Sequence, residues 1–257
     1  MKLIIIALLV GTCLTSVEWP RATYTKNPYG VIFVMPGQTF DGFLENRGEW
    51  VRYEKGIPTL HECNKSDGRS DDAVFLLFNK ATLKNVILGT QSIKNVYCVE
   101  EECTIENVWW ENVCQDAITI EGSTKSSSKY YIKGGGAING KMNIIKHNSA
   151  GTVYIENFYV ENSEQFYSSC ENCKNEIPQR GEYQGKRTAF LTNVTAIGIS
   201  LLAGYNTNYG DIVTIQNTTN ASGGSICKKF EGRNDGKKAR ALGYTCQSRS
   251  ITKCVCN

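Results

Sequence analysis

TIENVWW at 104–110 sets one asparagine, Asn107, between two short β-forming runs, and the same phrase returns as LKNV at 83–86, IENF at 155–158, LTNV at 191–194 and IQNT at 215–218. Asn85 to Asn107 spans 22 residues and Asn193 to Asn217 spans 24, each the length of one β-helix coil. Asn107 to Asn157 spans 50, room for two coils with YIKG and its Gly134 at the midpoint. Asn157 to Asn193 spans 36, so that coil carries an inserted loop, assigned to the polar stretch 170–187. The repeat has a physical reason: apolar residues alternate inward, while Asn or Gly takes a corner where positive φ is costly for other residues. Stacked coils then bury a core that no single coil could. The pattern predicts an all-β parallel β-helix; a sandwich or barrel would lack one recurring asparagine corner.

Outward from the repeat, the first residues, MKLIIIALLVGTCLTS, have one lysine, an apolar run from Leu3 to Val10 and then small residues. This is the layout of a secretory signal peptide, so 1–16 is set aside from the fold and the protein is expected to be secreted and extracellular. Eight apolar residues are too few to span a bilayer, and Val10-Gly11-Thr12-Cys13 is a poor lipobox, so no membrane partner is expected. Eleven cysteines become ten without Cys13, an even set that reads as disulfides in an exported chain. Cys170 and Cys173 have the spacing of a redox or half-zinc motif, but no second such pair or histidine cluster accompanies them. Asn64, Asn193, Asn217 and Asn220 head glycosylation sequons. A net charge of +3 spread over 257 residues gives no basic stripe and excludes a nucleic-acid binder, while mild positive charge favours an anionic polymer. From 226 to 257 the rhythm is lost and four cysteines gather, predicting a cysteine-rich C-terminal cap on a 17–225 coil body.

The ordered blocks ATLKNVILG (81–89), TIENVWWENVCQDAITIEG (104–122), KGGGAI (133–138), HNSAGTVYIENFYVEN (147–162) and YNTNYGDIVTIQN (205–217) closely resemble class III pectate lyases, polysaccharide lyase family three. With PGQTFDG (36–42), the resemblance covers nearly the whole chain after the leader. It implies a single-stranded right-handed parallel β-helix with disulfides, calcium dependence and cleavage of polygalacturonate by β-elimination. That chemistry needs calcium on the uronate carboxylate, a base for the C5 proton, and cations to steady the enolate-like intermediate.

The resemblance also places the site. Adjacent Glu-Asp calcium ligands of the family fall on Gln115 and Asp116, and a further aspartate, just before the Cys98–Cys103 loop, falls on Lys94, which would repel calcium. Glu100, Glu101 and Glu102 are nearby acidic residues, read as a solvated loop face. The family's lysine after the triple-glycine block falls on Asn143, with Lys141 two residues earlier as a possible substitute on the same strand face. Its catalytic lysine and arginine base fall on Gln165 and Ser168, neither of which carries charge near neutral pH. Arg180 and Arg187 lie in the inserted loop. Trp109 and Trp110 should point to opposite faces, one into the core and one outward where a sugar ring could stack, with packing in the core or between coils the expected use of both; His61 and His147 read as local hydrogen-bonding residues; Gly134 to Gly136 reads as a coil corner.

The expectation is therefore a monomeric protein acting on acidic plant cell-wall polysaccharide, pectate, by calcium-assisted β-elimination with weak activity. The alternative is a catalytically inactive relative that binds pectate or a host wall component. Loss of one electrostatic donor typically costs about 10² to 10³ in rate, and here several site positions differ together while the scaffold blocks match.

Overall fold

The computed structural model describes residues 17–56, 63, 70–170, 185–221, 224–233, 235, 237–246 and 250–256. Each repeated phrase turns a corner: Asn85, Asn107, Asn157, Asn193 and Asn217 all adopt left-handed φ of 47–57°, and Gly134 takes the intervening corner at φ 64°. Asparagine and glycine tolerate this region best, which is why they recur there. Gly135 follows at φ 78°, where a Cβ would lie 2.0 Å from the Val108 carbonyl oxygen, so the triple glycine is indeed a coil corner.

The corners fold the chain into a parallel β-helix of about seven coils. Its second face, leading into the asparagine corners, stacks β3 (Thr39–Asp41), the first halves of β6 (Ala81–Leu88) and β8 (Glu102–Trp110), β10 (Lys129–Lys133), β13 (Gly151–Glu156), β15 (Arg187–Thr192) and the start of β17 (Ile212–Asn220). The third face, after the corner, stacks β1 (Tyr24–Lys26), β4 (Val51–Tyr53), the second halves of β6 and β8, β11 (Gly136–Ile138), and the first halves of β14 (Tyr159–Ser169) and β16 (Thr195–Asn206). The first face stacks β2 (Ile32–Val34), β5 (Phe75–Leu77), β7 (Val96–Val99), β9 (Asp116–Glu121), β12 (Asn143–His147), the second halves of β14 and β16, and β18 (Ser225–Glu231). All of these pairings are parallel.

Register drives the core. Leu83, Ile105, Ile132, Ile155, Leu191 and Ile215 stand directly over one another on the second face, each at most 1% exposed. Burying one such side chain contributes about 1.5–3 kcal/mol. At the C-terminal end, β19 (Arg240–Thr245) pairs antiparallel with β18, and β20 (Ser250–Cys256) pairs antiparallel with β17. These strands cover ladder edges that would otherwise offer unpaired N–H and C=O groups.

Disulfides join Cys63 to Cys114, Cys98 to Cys103, Cys227 to Cys256 and Cys246 to Cys254, and Cys170 is also disulfide-bonded. Residues 1–16, His61, the sequon at Asn64, Cys173, Arg180 and most of the assigned inserted loop lie outside the described residues. Among the described residues no helix is long and apolar enough to cross a membrane.

Candidate functional site

Across the first face, where β12, β14, β16 and β18 succeed one another, lies an open groove of about 570 Å³. The sharp turn into β12 depends on Gly140, where a Cβ would crowd Ile144 and Ser163. Beyond it Asn143, Gln165, Leu201 and Ser225 lie in one row, neighbours across successive coils. Ile144 and Phe166 then turn into the core, and a second outward row runs Lys146, Ser168, Gly204, Lys228 and Tyr244. Coils are spaced about 4.8 Å, so Lys146 and Lys228, three rungs apart, stand about 14 Å from each other along the stack.

Three lysines, Lys141, Lys146 and Lys228, and one carboxylate, Glu164, line the groove, and no arginine does among the described residues. Lys228 is held in place by aromatic rings, its Nζ lying 5.1 Å from the Phe230 centroid and 5.7 Å from that of Tyr244. Gln165 Nε2 donates to the Tyr167 carbonyl (3.1 Å) and Ser168 Oγ to the Ser169 carbonyl (3.2 Å). Lys141, expected on the strand face of Asn143, instead precedes β12 in the turn after Gly140, its N–H donating to the Val113 carbonyl (3.1 Å). It is exposed and lines the groove from that turn, because the tight approach at Gly140 delays the strand until Asn143.

One coil toward the N-terminus from Asn143 stands Asp116, only 2% exposed. Asn143 Nδ2 donates to Asp116 Oδ1 (3.1 Å), the Lys94 ammonium pairs with Asp116 Oδ2, and Asn95 Nδ2 reaches the Asp116 carbonyl (3.4 Å). Lys94 is itself 5% exposed, and Gln115 beside Asp116 is 4% exposed. Calcium takes about six to eight oxygen ligands, carboxylates foremost. Here one carboxylate already accepts bonds at both oxygens, its neighbour is an amide, and an ammonium stands where a divalent ion would have to approach. These residues do not fit calcium. Glu100, Glu101 and Glu102 do not help: Glu100 bonds across to Glu121, five residues or about 16 Å along β9 from Asp116. Glu101 pairs with Lys125 at the surface.

Behind the groove lies a buried polar cluster. His147 Nδ1 and Tyr167 Oη are 3.0 Å apart, and Ser169 Oγ donates to Asp211. Arg187, read from sequence as a loop arginine, begins β15 and is 1% exposed; its Nη2 donates to the Asn148 carbonyl (2.6 Å), its N–H to Asp211 Oδ1 (2.8 Å), and its guanidinium lies 3.9 Å from Asp211 Oδ2. It supports the fold from inside and cannot reach the groove. Burial holds the His147 imidazole well below its ordinary pKa, with Arg187 adding to the effect. Burial raises the Asp211 carboxyl, partly offset by Arg187 and Ser169. Trp110 is core, while Trp109 faces outward at 9% exposure, covered edge-on by Trp19 at 4.8 Å, so it offers no open stacking platform.

Lys146 and Lys228 are groove residues that sequence reading passed over. The signal was present: Lys146 and Ser168 are 22 residues apart and Gly204 and Lys228 are 24, the same coil spacing that marks the asparagine corners.

A parallel β-helix with an open, lysine-lined groove across its coils defines a surface site on a repetitive scaffold. The chain belongs to the pectate lyase family: the model described as "Pectate lyase" matches residues 16–237. It is 38% identical to Pectate lyase E of Emericella nidulans over 223 residues, 84% of this chain and 79% of that one. Probable pectate lyase F of Aspergillus terreus is 38% identical over 226 residues, covering 88% of this chain and 87% of the relative. Among solved structures, the catalytic domain of pectate lyase PelI from Erwinia chrysanthemi superposes with TM-score 0.62 at 24% identity, covering 89% of this chain and 93% of that one. The PelI complex with tetragalacturonic acid superposes with TM-score 0.58 at 26% identity, and this chain spans 66% of it while 83% of this chain is covered.

Proposed function

We propose that this protein, a class III member of the pectate lyase family, acts as a secreted monomer on pectate, the acidic polygalacturonate of plant cell walls. The groove holds uronate carboxylates over Lys141, Lys146 and Lys228, and β-elimination there is weak because solvent water, in place of a protein base, takes the C5 proton as the C4–O bond breaks. The observation that carries the reading is the lysine-lined groove at the positions where the family resemblance places its catalytic residues. Asn143, Gln165 and Ser168 can hydrogen-bond sugar hydroxyls or carboxylates, but none is a strong proton acceptor near neutral pH. Among the described residues no guanidinium lines the groove to supply the fork that grips a carboxylate at two points.

A second reading, a catalytically inactive relative that binds pectate or a host wall component, is favoured by the Lys94–Asp116 pair, which closes the position where the family's calcium ligands fall. Release of unsaturated uronate from polygalacturonate by the purified protein, beside an Asn143→Lys, Gln165→Lys, Ser168→Arg triple variant, separates the two. Slow release by the native chain, raised by about 10² or more in the variant, supports weak elimination. Native silence with turnover by the variant supports the binder, and brisk native turnover contradicts both.

A further inference from the structure

The place on the first face where a metal-dependent site would hold its ion contains a built-in cation. Asp116 Oδ2 meets the Lys94 ammonium, Asp116 Oδ1 accepts from Asn143, and the two charged side chains are 7% and 1% exposed. A buried carboxylate left alone is costly, and one paired and hydrogen-bonded at both oxygens is satisfied. The pair has no net charge. A divalent ion brought into coordination distance of Asp116 would confront the ammonium in a poorly screened setting, where like charges repel strongly. From this arrangement, resting on the pectate reading above, we infer that Lys94 replaces calcium at this site, so that the groove binds acidic polysaccharide without calcium.

The division of labour follows. Lys94 neutralises Asp116 and, through it, fixes the Asn143 amide at the groove edge, making Lys94 a positioning residue. Carboxylates of the bound chain meet Lys146, Lys228 and Lys141 directly. In a calcium-dependent groove, chelation removes the bridge between protein carboxylate and substrate carboxylate. Here both partners of the bridge belong to the protein.

The test is calorimetric titration of tetragalacturonate into the native protein in chelator and in calcium at matched ionic strength, beside melting curves with and without calcium. The inference predicts the same dissociation constant in both buffers and no calcium shift in melting. Binding weakened about tenfold or more by chelator, or a native melting temperature raised by calcium alone, overturns it and leaves the pectate reading standing. Absence of binding in both buffers overturns the pectate reading itself, and this inference falls with it. A Lys94→Asp variant, which removes the ammonium and adds a carboxylate beside Asp116, should gain calcium-dependent melting. Should that variant fail to fold, the two native measurements still decide the question.

Discussion

His147 sits wholly buried against Tyr167 and near Arg187, and its pKa is held well below the ordinary histidine value by burial first and by that guanidinium second. Below about pH 6.5 the unfolded chain takes up a proton that the folded chain refuses, so stability falls on acidification by about 1.4 kcal/mol per pH unit until the folded pKa is reached. Asp211, in the same cluster, has the opposite sign: burial raises its pKa, so the folded chain binds its proton more readily, and that effect belongs to the range above about pH 3.8. The His147 contribution should therefore lower the melting temperature on going from about pH 7 to pH 5.5, and His147→Gln should remove that part of the pH dependence whatever it does to absolute stability. An unchanged slope in the variant would remove His147 from the account. Asn220 makes a second residue-scale prediction. Its side chain is 0% exposed and donates to the Gly224 carbonyl (2.9 Å), so this sequon has no room for a glycan. Peptide mass spectrometry of protein from a eukaryotic host should find Asn220 unmodified, and a glycan there would contradict the packing.

At the scale of coil and corner, asparagine side chains bond to one another down the stack. Asn107 Nδ2 donates to Asn85 Oδ1 (2.8 Å), Asn85 Nδ2 to Asp41 Oδ1 (2.9 Å), and Asn193 Nδ2 to Asn157 Oδ1 (3.1 Å). Asn157→Ala should cost about 1–3 kcal/mol in chemical denaturation, from the left-handed backbone and the lost acceptor, and Asn157→Gly clearly less, since glycine keeps the conformation. Equal losses would mean that backbone conformation is not what selects the residue. The same constraint explains what was legible from sequence. A corner that needs positive φ leaves a visible asparagine, so the coils, the two-coil gap around Gly134 and the triple-glycine turn could all be read in advance. Groove composition was less legible, because a lysine facing outward looks the same whether it joins a row or stands alone. Lys146 meets Ser168 only through register across coils, and Lys228 follows after the inserted loop has broken the count. Arg187 misled for the reverse reason: a charged residue beside a polar loop reads as exposed, yet it fills the interior with its charge matched by Asp211.

Over the whole molecule, a stack of parallel coils turns a weak local motif into a long surface on which chemistry can be changed without disturbing the core. The rows Asn143–Gln165 and Lys146–Ser168 lie outside the aliphatic ladder, so their residues can change while Leu83, Ile105, Ile132 and Ile155 hold the coils together. The central claim is that this groove grips pectate by its lysines. Its most direct test is retardation of the native protein and of a Lys146→Glu, Lys228→Glu double variant in gels containing polygalacturonate, with a neutral polysaccharide as control. The account predicts that native protein is held back by polygalacturonate alone and that the double variant, folded by circular dichroism, migrates freely. Equal retardation of both proteins would contradict it and move the binding surface elsewhere on the helix.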